Sequence, residues 1–315
     1  MSTHGLELAP TLRTEFGGQT VVGGHRLQDH RLFSDAALID LLDRFPRQHL
    51  YAFHMGSDPC RIEENRLVRQ DGLSGAELLQ AVRSGRLWLN LTRADRADAD
   101  FRTLITELYQ QLAALLPGFV PESSQGTLLI SSPRALVYYH ADGPASVLWH
   151  LRGRKRVWVY PPLDARYMRR ELLEDIFAGV RHEYLPYETA YDEAAQVYDL
   201  EPGQWIAWPQ NAPHRVSNLD GLNVSLSTEH FTAASQRRFR LYLANRYLRT
   251  RLGIQGLSAR EEGPVAAAKI LTQRVARKLG LDPVQLRQHQ AVLRVQPGAP
   301  DGVAPLESPA SALPA

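Results

Sequence analysis

The chain has 315 residues, 44% of them hydrophobic and 22% charged, with a net charge of +2. Such a composition buries a large core, in one large domain or two ordinary ones, and excludes a disordered, fibrous or polyelectrolyte chain. A single cysteine, Cys60, excludes an internal disulfide framework and a thiolate metal cluster, and suits a reducing cytoplasm.

In chain order, Thr20-Val21-Val22 reads as a short strand, and Ser34 as the cap of a helix carrying Ala37, Leu38, Leu41 and Leu42. Residues 50–54 read as a strand. Ser74-Gly75-Ala76-Glu77 has capping-box spacing before Leu78, Leu79 and Val82, and Gly85 stops that helix. Residues 86–91 read as another strand. Phe101, Leu104, Ile105, Leu108, Leu112, Leu115 and Leu116 then recur at helical spacing until Pro117-Gly118. Residues 1–120 are therefore expected to form a mixed α/β region packed on a core.

Residues 121–232 are expected to be that core. Short β-rich runs lie at 127–130, 135–140, 146–151, 156–160, 204–208 and 223–227, separated by Gly, Pro, Asn and Asp. This pattern predicts an antiparallel sandwich or barrel. A partly helical insertion, 164–195, carries Tyr167, Tyr184, Tyr187 and Tyr191. Residues 233–296 are expected to be helical, with a second capping box at Ser258-Ala259-Arg260-Glu261 and a last helix starting at Asp282-Pro283. The Pro-, Ala-, Ser- and Gly-rich stretch 297–315 is expected to be a disordered tail. The start, Met1-Ser2-Thr3-His4-Gly5, lacks the charged and apolar regions of an export signal, and no window reaches membrane-spanning length. The expectation is a cytoplasmic protein without membrane contact.

His140-Ala141-Asp142 is the chain's sole His-x-Asp. On a strand, residues two apart point to one face. Two imidazoles and one carboxylate are the ligand set for a divalent iron that keeps positions open. His214 supplies the second imidazole: it follows the turn Glu201-Pro202-Gly203-Gln204, the run 205–208 and a proline loop. A lone strand histidine is more often structural, so the weight lies in the combination. Residues 146–151 and 155–160 are expected to form a hairpin about Arg152-Gly153-Arg154, ended by Pro161-Pro162. On its second arm Lys155 shares a face with Val157 and Val159, while Arg154, Arg156 and Trp158 point the other way. An inward lysine needs an anion, such as a dicarboxylate; the other reading is a solvated lysine in a basic turn.

The segment 140–162 resembles the core of the JmjC and cupin-like 2-oxoglutarate oxygenases, in particular the asparaginyl hydroxylases related to factor-inhibiting-HIF. The resemblance covers roughly 86–231. Its implied fold is mainly β with flanking helices: a double-stranded β-helix, a jelly-roll, cupin-like core with the mixed N-terminal region and C-terminal helices around it. His140, Asp142 and His214 fall on the iron ligands of that family, and Lys155 on the lysine that binds the far carboxylate of 2-oxoglutarate. Gly153, Arg156 and Pro161-Pro162 also match, and 86–89 resembles a strand lining the cosubstrate pocket. The chain departs from the family at Val137, where a threonine is usual, at Trp88, in place of a tyrosine, and at Ser146, in place of an amide. Tyr138, Asn90 and Ser146 are the further candidates for cosubstrate contact, with Ser131 another donor. The implied activity is Fe(II)- and 2-oxoglutarate-dependent hydroxylation of a protein side chain or small metabolite, with 2-oxoglutarate decarboxylated to succinate. The alternatives are a non-catalytic cupin-like domain that binds a metal or ligand for regulation, and a zinc or manganese hydrolase or isomerase, which Lys155 disfavours.

Among the other residues, His150 reads as packed or supporting, Trp149, Trp158, Trp205 and Trp208 as core, and Glu229-His230 as a decoy ligand pair. The arginines of 237–251 read as a solvated face rather than a nucleic-acid surface. The stripe Phe239, Leu243 and Tyr247 is the expected homodimer surface.

Overall fold

The computed structural model describes residues 4–181, 183–282, 288–289, 291–306 and 313–314. The N-terminal region contributes β1 (Val21–Gly24), α1 (Asp35–Arg44), β2 (Leu50–His54), β3 (Arg66–Arg69), α2 (Gly75–Ser84), β4 (Leu87–Leu91), a short α3 (Ala94–Ala97) and α4 (Ala99–Leu115). Ser34 caps α1 by accepting from the Ala37 amide, and the predicted capping box of α2 is complete between Ser74 and Glu77. The middle of the chain is β5 (Ser123–Ser131), β6 (Leu136–His140), β7 (Ala145–Val159), α5 (Arg170–Phe177), β8 (Gln196–Leu200), β9 (Gln204–Ala207) and β10 (His214–Phe231). Then come α6 (Ala233–Leu252), α7 (Pro264–Lys278), β11 (Gln288–His289), β12 (Leu293–Val295), β13 (Val303–Pro305) and β14 (Leu313–Pro314).

Twelve strands form one sheet in the order β1-β9-β7-β10-β5-β4-β2-β3-β12-β13, with β6 also paired to β10 and β8 to β7. This is the expected β core flanked by helices. Its frame is the antiparallel ribbon of β7 and β10, which are paired from His214 opposite Val159 to His230 opposite Ala145. The expected hairpin at 152–154 is not a chain reversal: β7 continues through it from Ala145 to Val159. Gly153 has φ +76°, a conformation glycine adopts freely, and a Cβ there would lie 2.5 Å from the Asn223 side chain. The glycine therefore bends the strand at the register shifts between Asn218 and Ser225. Beyond the bend each half of β7 finds a different neighbour, β9 on 147–150 and β8 on 155–159.

One face of the sheet carries Leu89, Leu128, Leu226, Trp149 and Trp205 against Leu38, Leu41, Leu78, Leu104 and Leu108 of the N-terminal helices. Trp149 and Trp205 are fully buried, and each indole N–H is satisfied, by Thr228 Oγ1 and by the Gly24 carbonyl. The other face is the interior of the roll, where the polar residues converge.

Four further expectations change. No helix follows Ser258: its hydroxyl accepts from the Arg260 amide, Arg238 takes the Glu261 carboxylate, and α7 begins at Pro264. Residues 297–306 of the expected disordered tail are ordered, because β13 pairs with β12 and β12 lies parallel on β3. Residues 307–312 and 315 of that tail, and 283–287 of the helix expected at Asp282-Pro283, lie outside the described residues. The arginines of α6 are not simply solvated: Arg237, Arg238, Arg246 and Arg249 pair with Glu262, Glu261, Asp175 and Glu174. The stripe expected to face a second copy packs inside the chain, Phe239 against Phe177 and Leu243 and Tyr247 in buried clusters. No helix among the described residues is long and apolar enough to cross a membrane.

Candidate metal centre

His140 and His214 are directly opposed on β6 and β10, with ring centroids 4.0 Å apart. Asp142 follows two residues beyond His140, in the loop leaving β6. One ligand atom from each of the three lies within 4.8 Å of the other two. The Asp142 oxygens stand 3.8 Å from His140 Nε2 and 3.7 Å from His214 Nε2. Each Nδ1 donates to a backbone carbonyl, His140 to Tyr138 at 2.7 Å and His214 to Ala212 at 3.1 Å. That fixes the tautomer, so both Nε2 lone pairs point to the shared centre. Ser146 Oγ donates to Asp142 Oδ2 at 2.7 Å, and Asn211 Nδ2 holds the Asp142 carbonyl. Trp208 lies against the His214 ring, 4.2 Å between centroids. Neutral imidazoles with oriented lone pairs and one carboxylate fit a divalent transition metal.

An irregularity in β6 sets the neighbours of His140. His214 pairs with His140 and Val216 with Val137, so two residues of β10 span three of β6. The bulge puts Val137, three positions before His140, on the same interior face as Val216. Simple alternation would have put Tyr138 there. Instead the Tyr138 hydroxyl accepts from the Gly56 amide, and its ring meets Tyr184.

Lys155 stands opposite Asn218 on β10, four residues from His214. Four strand residues span about 13 Å. Val157 and Val159 on β7 and Val216 on β10 line that interval. Lys155 is 5% exposed, and no carboxylate stands within ion-pair distance of it among the described residues. Burial pulls its pKa down to about 7. A buried cation without an acid, at the far end of an apolar wall from three ligand atoms, fits a short dicarboxylate that reaches both. Asn90 occupies the same interior face through the row Asn90, Leu129, Ser225, His150, and its Oδ1 has no partner. Ser131 and Asn218 are bonded to each other.

His150 is fully buried between Ser225 Oγ and the Gly153 carbonyl, a supporting role. Glu229 faces Ser146 across the strands and accepts from Gln125, but contributes no atom to the ligand cluster. Burial, with Asp142 and Glu183 nearby, raises its pKa to about 7. His230 lies among Phe16, Tyr109 and Phe119, away from the centre. Two supports went unread in the sequence. One is the amide pair Gln210-Asn211 in the proline loop, which holds the Gly143 carbonyl. The other is Glu183-Tyr184-Leu185, which bridges to His140. The amides between Pro209 and Pro213 were the available signal for the first.

Burial also lowers His214 and His150 to about 3, and His25 and His230 to about 4. The unfolded chain protonates these groups near pH 6.5 while the folded chain does not. Stability of the metal-free protein is therefore expected to fall as pH drops from 6.5 towards 4, by about 1.4 kcal/mol per pH unit for each such group. A thermal midpoint that stays level between pH 7.5 and 5 would refute this.

Comparison with known proteins adds three findings. The family described as a cupin-like domain matches residues 72–230. No curated protein sequence matches the chain. Among solved structures, Escherichia coli ycfD matches with a TM-score of 0.50 and 14% identity over 88% of this chain and 69% of that one. A complex of the E. coli ribosomal oxygenase YcfD with cobalt and 2-oxoglutarate has a TM-score of 0.46 and 15% identity over 86% of this chain and 68% of that one. At these identities the likeness is one of fold.

Proposed function

The chain belongs to the family of cupin-like domains, and from that premise we propose that it is an Fe(II)- and 2-oxoglutarate-dependent dioxygenase that hydroxylates a protein side chain or a small metabolite. The observation that carries the reading is the pairing of His140, Asp142 and His214 with a buried, acid-free Lys155 on one interior face. Iron and 2-oxoglutarate held there would let dioxygen act as the oxidant: one oxygen atom would go to succinate as 2-oxoglutarate is oxidised with loss of CO2, and the other to the substrate as a hydroxyl. The chain's own residues do the rest. His140, Asp142 and His214 would hold the metal through two imidazoles and one carboxylate, a ligand set that keeps positions available. The backbone carbonyls of Tyr138 and Ala212 keep both imidazoles aimed, and Ser146 keeps the Asp142 carboxylate turned inward. Lys155 holds the far carboxylate of the cosubstrate, and its valine-lined approach excludes water from the chain between. Asn90 offers a free amide oxygen on the same wall. Tyr138 has its hydroxyl engaged at Gly56 and takes a packing role.

The test is release of succinate from 2-oxoglutarate by the purified protein with Fe(II) and ascorbate, first without and then with candidate peptides and metabolites. Metal binding without succinate in any mixture would favour the non-catalytic binding domain. The cytoplasm is the proposed setting, supported by the lone cysteine. A homodimer through the C-terminal helices would use the exposed face of α7, where Leu271, Val275 and the C-cap Leu279 recur every four residues. Light scattering at micromolar concentration should then give twice the chain mass; a monomer would remove the dimer.

A further inference from the structure

Each of the two histidines has both of its chain neighbours tied down by the insertion or by the strand end that leads into it. On the His140 side, the Leu185 amide donates to the Tyr139 carbonyl at 2.9 Å, and the Ala141 amide donates to the Glu183 carbonyl at 3.3 Å. On the His214 side, the Tyr160 amide donates to the Pro213 carbonyl at 2.9 Å. Arg215 alternates to the opposite face from His214 and is 6% exposed. Its guanidinium lies 3.5 Å over the ring of Trp158, its partner across the strands. Its Nη2 donates to Asp192 Oδ2 at 2.5 Å and its Nε to the Tyr160 hydroxyl at 3.0 Å. That hydroxyl donates in turn to Asp192 Oδ1, as does the Tyr187 hydroxyl at 2.8 Å. Asp192 sits in the 3-10 turn Thr189–Ala194 at the end of the insertion. Among the described residues it is the one carboxylate that pairs with Arg215.

We propose that Asp192 is a positioning residue for the metal centre: one carboxylate, through Arg215, Tyr160 and Tyr187, locks the insertion onto the strand of His214 while residues 183–185 grip the strand of His140. The inference rests on the metal reading of the triad. A side chain can anchor a loop without touching the site, and such a role would affect stability alone. Here the locked residues are the immediate neighbours of both histidines, so releasing them frees the separation of the two imidazoles. A buried guanidinium that loses its carboxylate is also left without a countercharge among the described residues, which destabilises its present position, and Arg215 is bonded directly to His214 in the chain.

The experiment is a Co(II) titration of the metal-free full chain, followed by the visible absorption of the bound ion, in the parent protein, Asp192→Asn, Asp192→Glu and Asp98→Asn. Asp98 is the control: it pairs with Arg44 and caps α4, far from the centre, so its loss destabilises without touching the histidine strands. Asp192→Asn is expected to weaken Co(II) binding roughly 10- to 100-fold, the range seen when groups supporting metal ligands are lost, and to change the absorption of the bound ion. Asp192→Glu restores part of the affinity. Asp98→Asn lowers the melting point and leaves the Kd alone. If Asp192→Asn does not fold, Asp192→Leu combined with Arg215→Met removes both charges; it is expected to recover stability and still bind Co(II) weakly. Parental affinity and spectrum in Asp192→Asn, or in that double variant when it stands in, would overturn the proposal. A parent protein that binds no Co(II) would overturn the metal reading itself, a separate result from a parent and a variant that bind alike.

Discussion

His140→Ala is expected to end both metal binding and succinate release. The variant removes one of three ligands, and losing even a supporting partner of a ligand costs about 10- to 100-fold in affinity, so a first ligand should cost ~100-fold or more. Co(II) titration reads the binding, and succinate formation in Fe(II) and ascorbate reads the turnover. The fold should survive, because the His140 ring has a single hydrogen bond, to the Tyr138 carbonyl, and the strand is held by its backbone. Far-ultraviolet circular dichroism separates this outcome from unfolding. Succinate release at the parent rate by a folded His140→Ala protein would remove the triad from the chemistry.

The second large effect has two opposite signs. Lys155→Met replaces a buried, acid-free ammonium by an apolar chain of similar length. The empty protein should become more stable, since an uncompensated buried charge is removed. Binding of 2-oxoglutarate, measured calorimetrically with Co(II) in place of iron, should weaken about 100-fold, the equivalent of a lost charge-assisted bond of about 3 kcal/mol. Burial holds the free Lys155 near pKa 7, whereas an anion binds its charged form. Above that pH, binding must take up a proton, so the Kd should rise by up to about tenfold per pH unit. The Met variant should lose this dependence. Unchanged affinity and an unchanged pH profile in Lys155→Met would leave the anion without its anchor.

The contacts of these residues were legible to different degrees in the sequence. The strand parity that puts Lys155 inward with Val157 and Val159 is local, and it holds. So does the proline loop that returns a histidine to the sheet. Strand alternation misplaces Tyr138, because the β6 bulge arises from pairing with β10, some 75 residues later, and no period within 135–140 encodes it. Gly153 misleads for a similar reason. A glycine at positive φ serves a turn or a bend equally well, and what decides here is that β10 is long enough to pair with both arms. The arginines of α6 look solvated in one dimension, since Asp175 and Glu174 lie about 75 residues upstream and become neighbours only when α5 packs on α6. Asp192 and Arg215, in the same way, belong to different motifs until the insertion closes over the strand.

The β12–β13 hairpin has a consequence far from the metal. Without it, β3 would end the sheet with a row of unpaired amides and carbonyls, a template on which another chain could add a strand. β12 occupies that edge in parallel, the Arg86 amide donates to the Asp301 carbonyl, and β13 then presents only three residues outward. Part of the stretch that composition alone marks as a loose end therefore helps guard the molecule against self-association, because residues 303–305 back β12 where it covers the edge of β3.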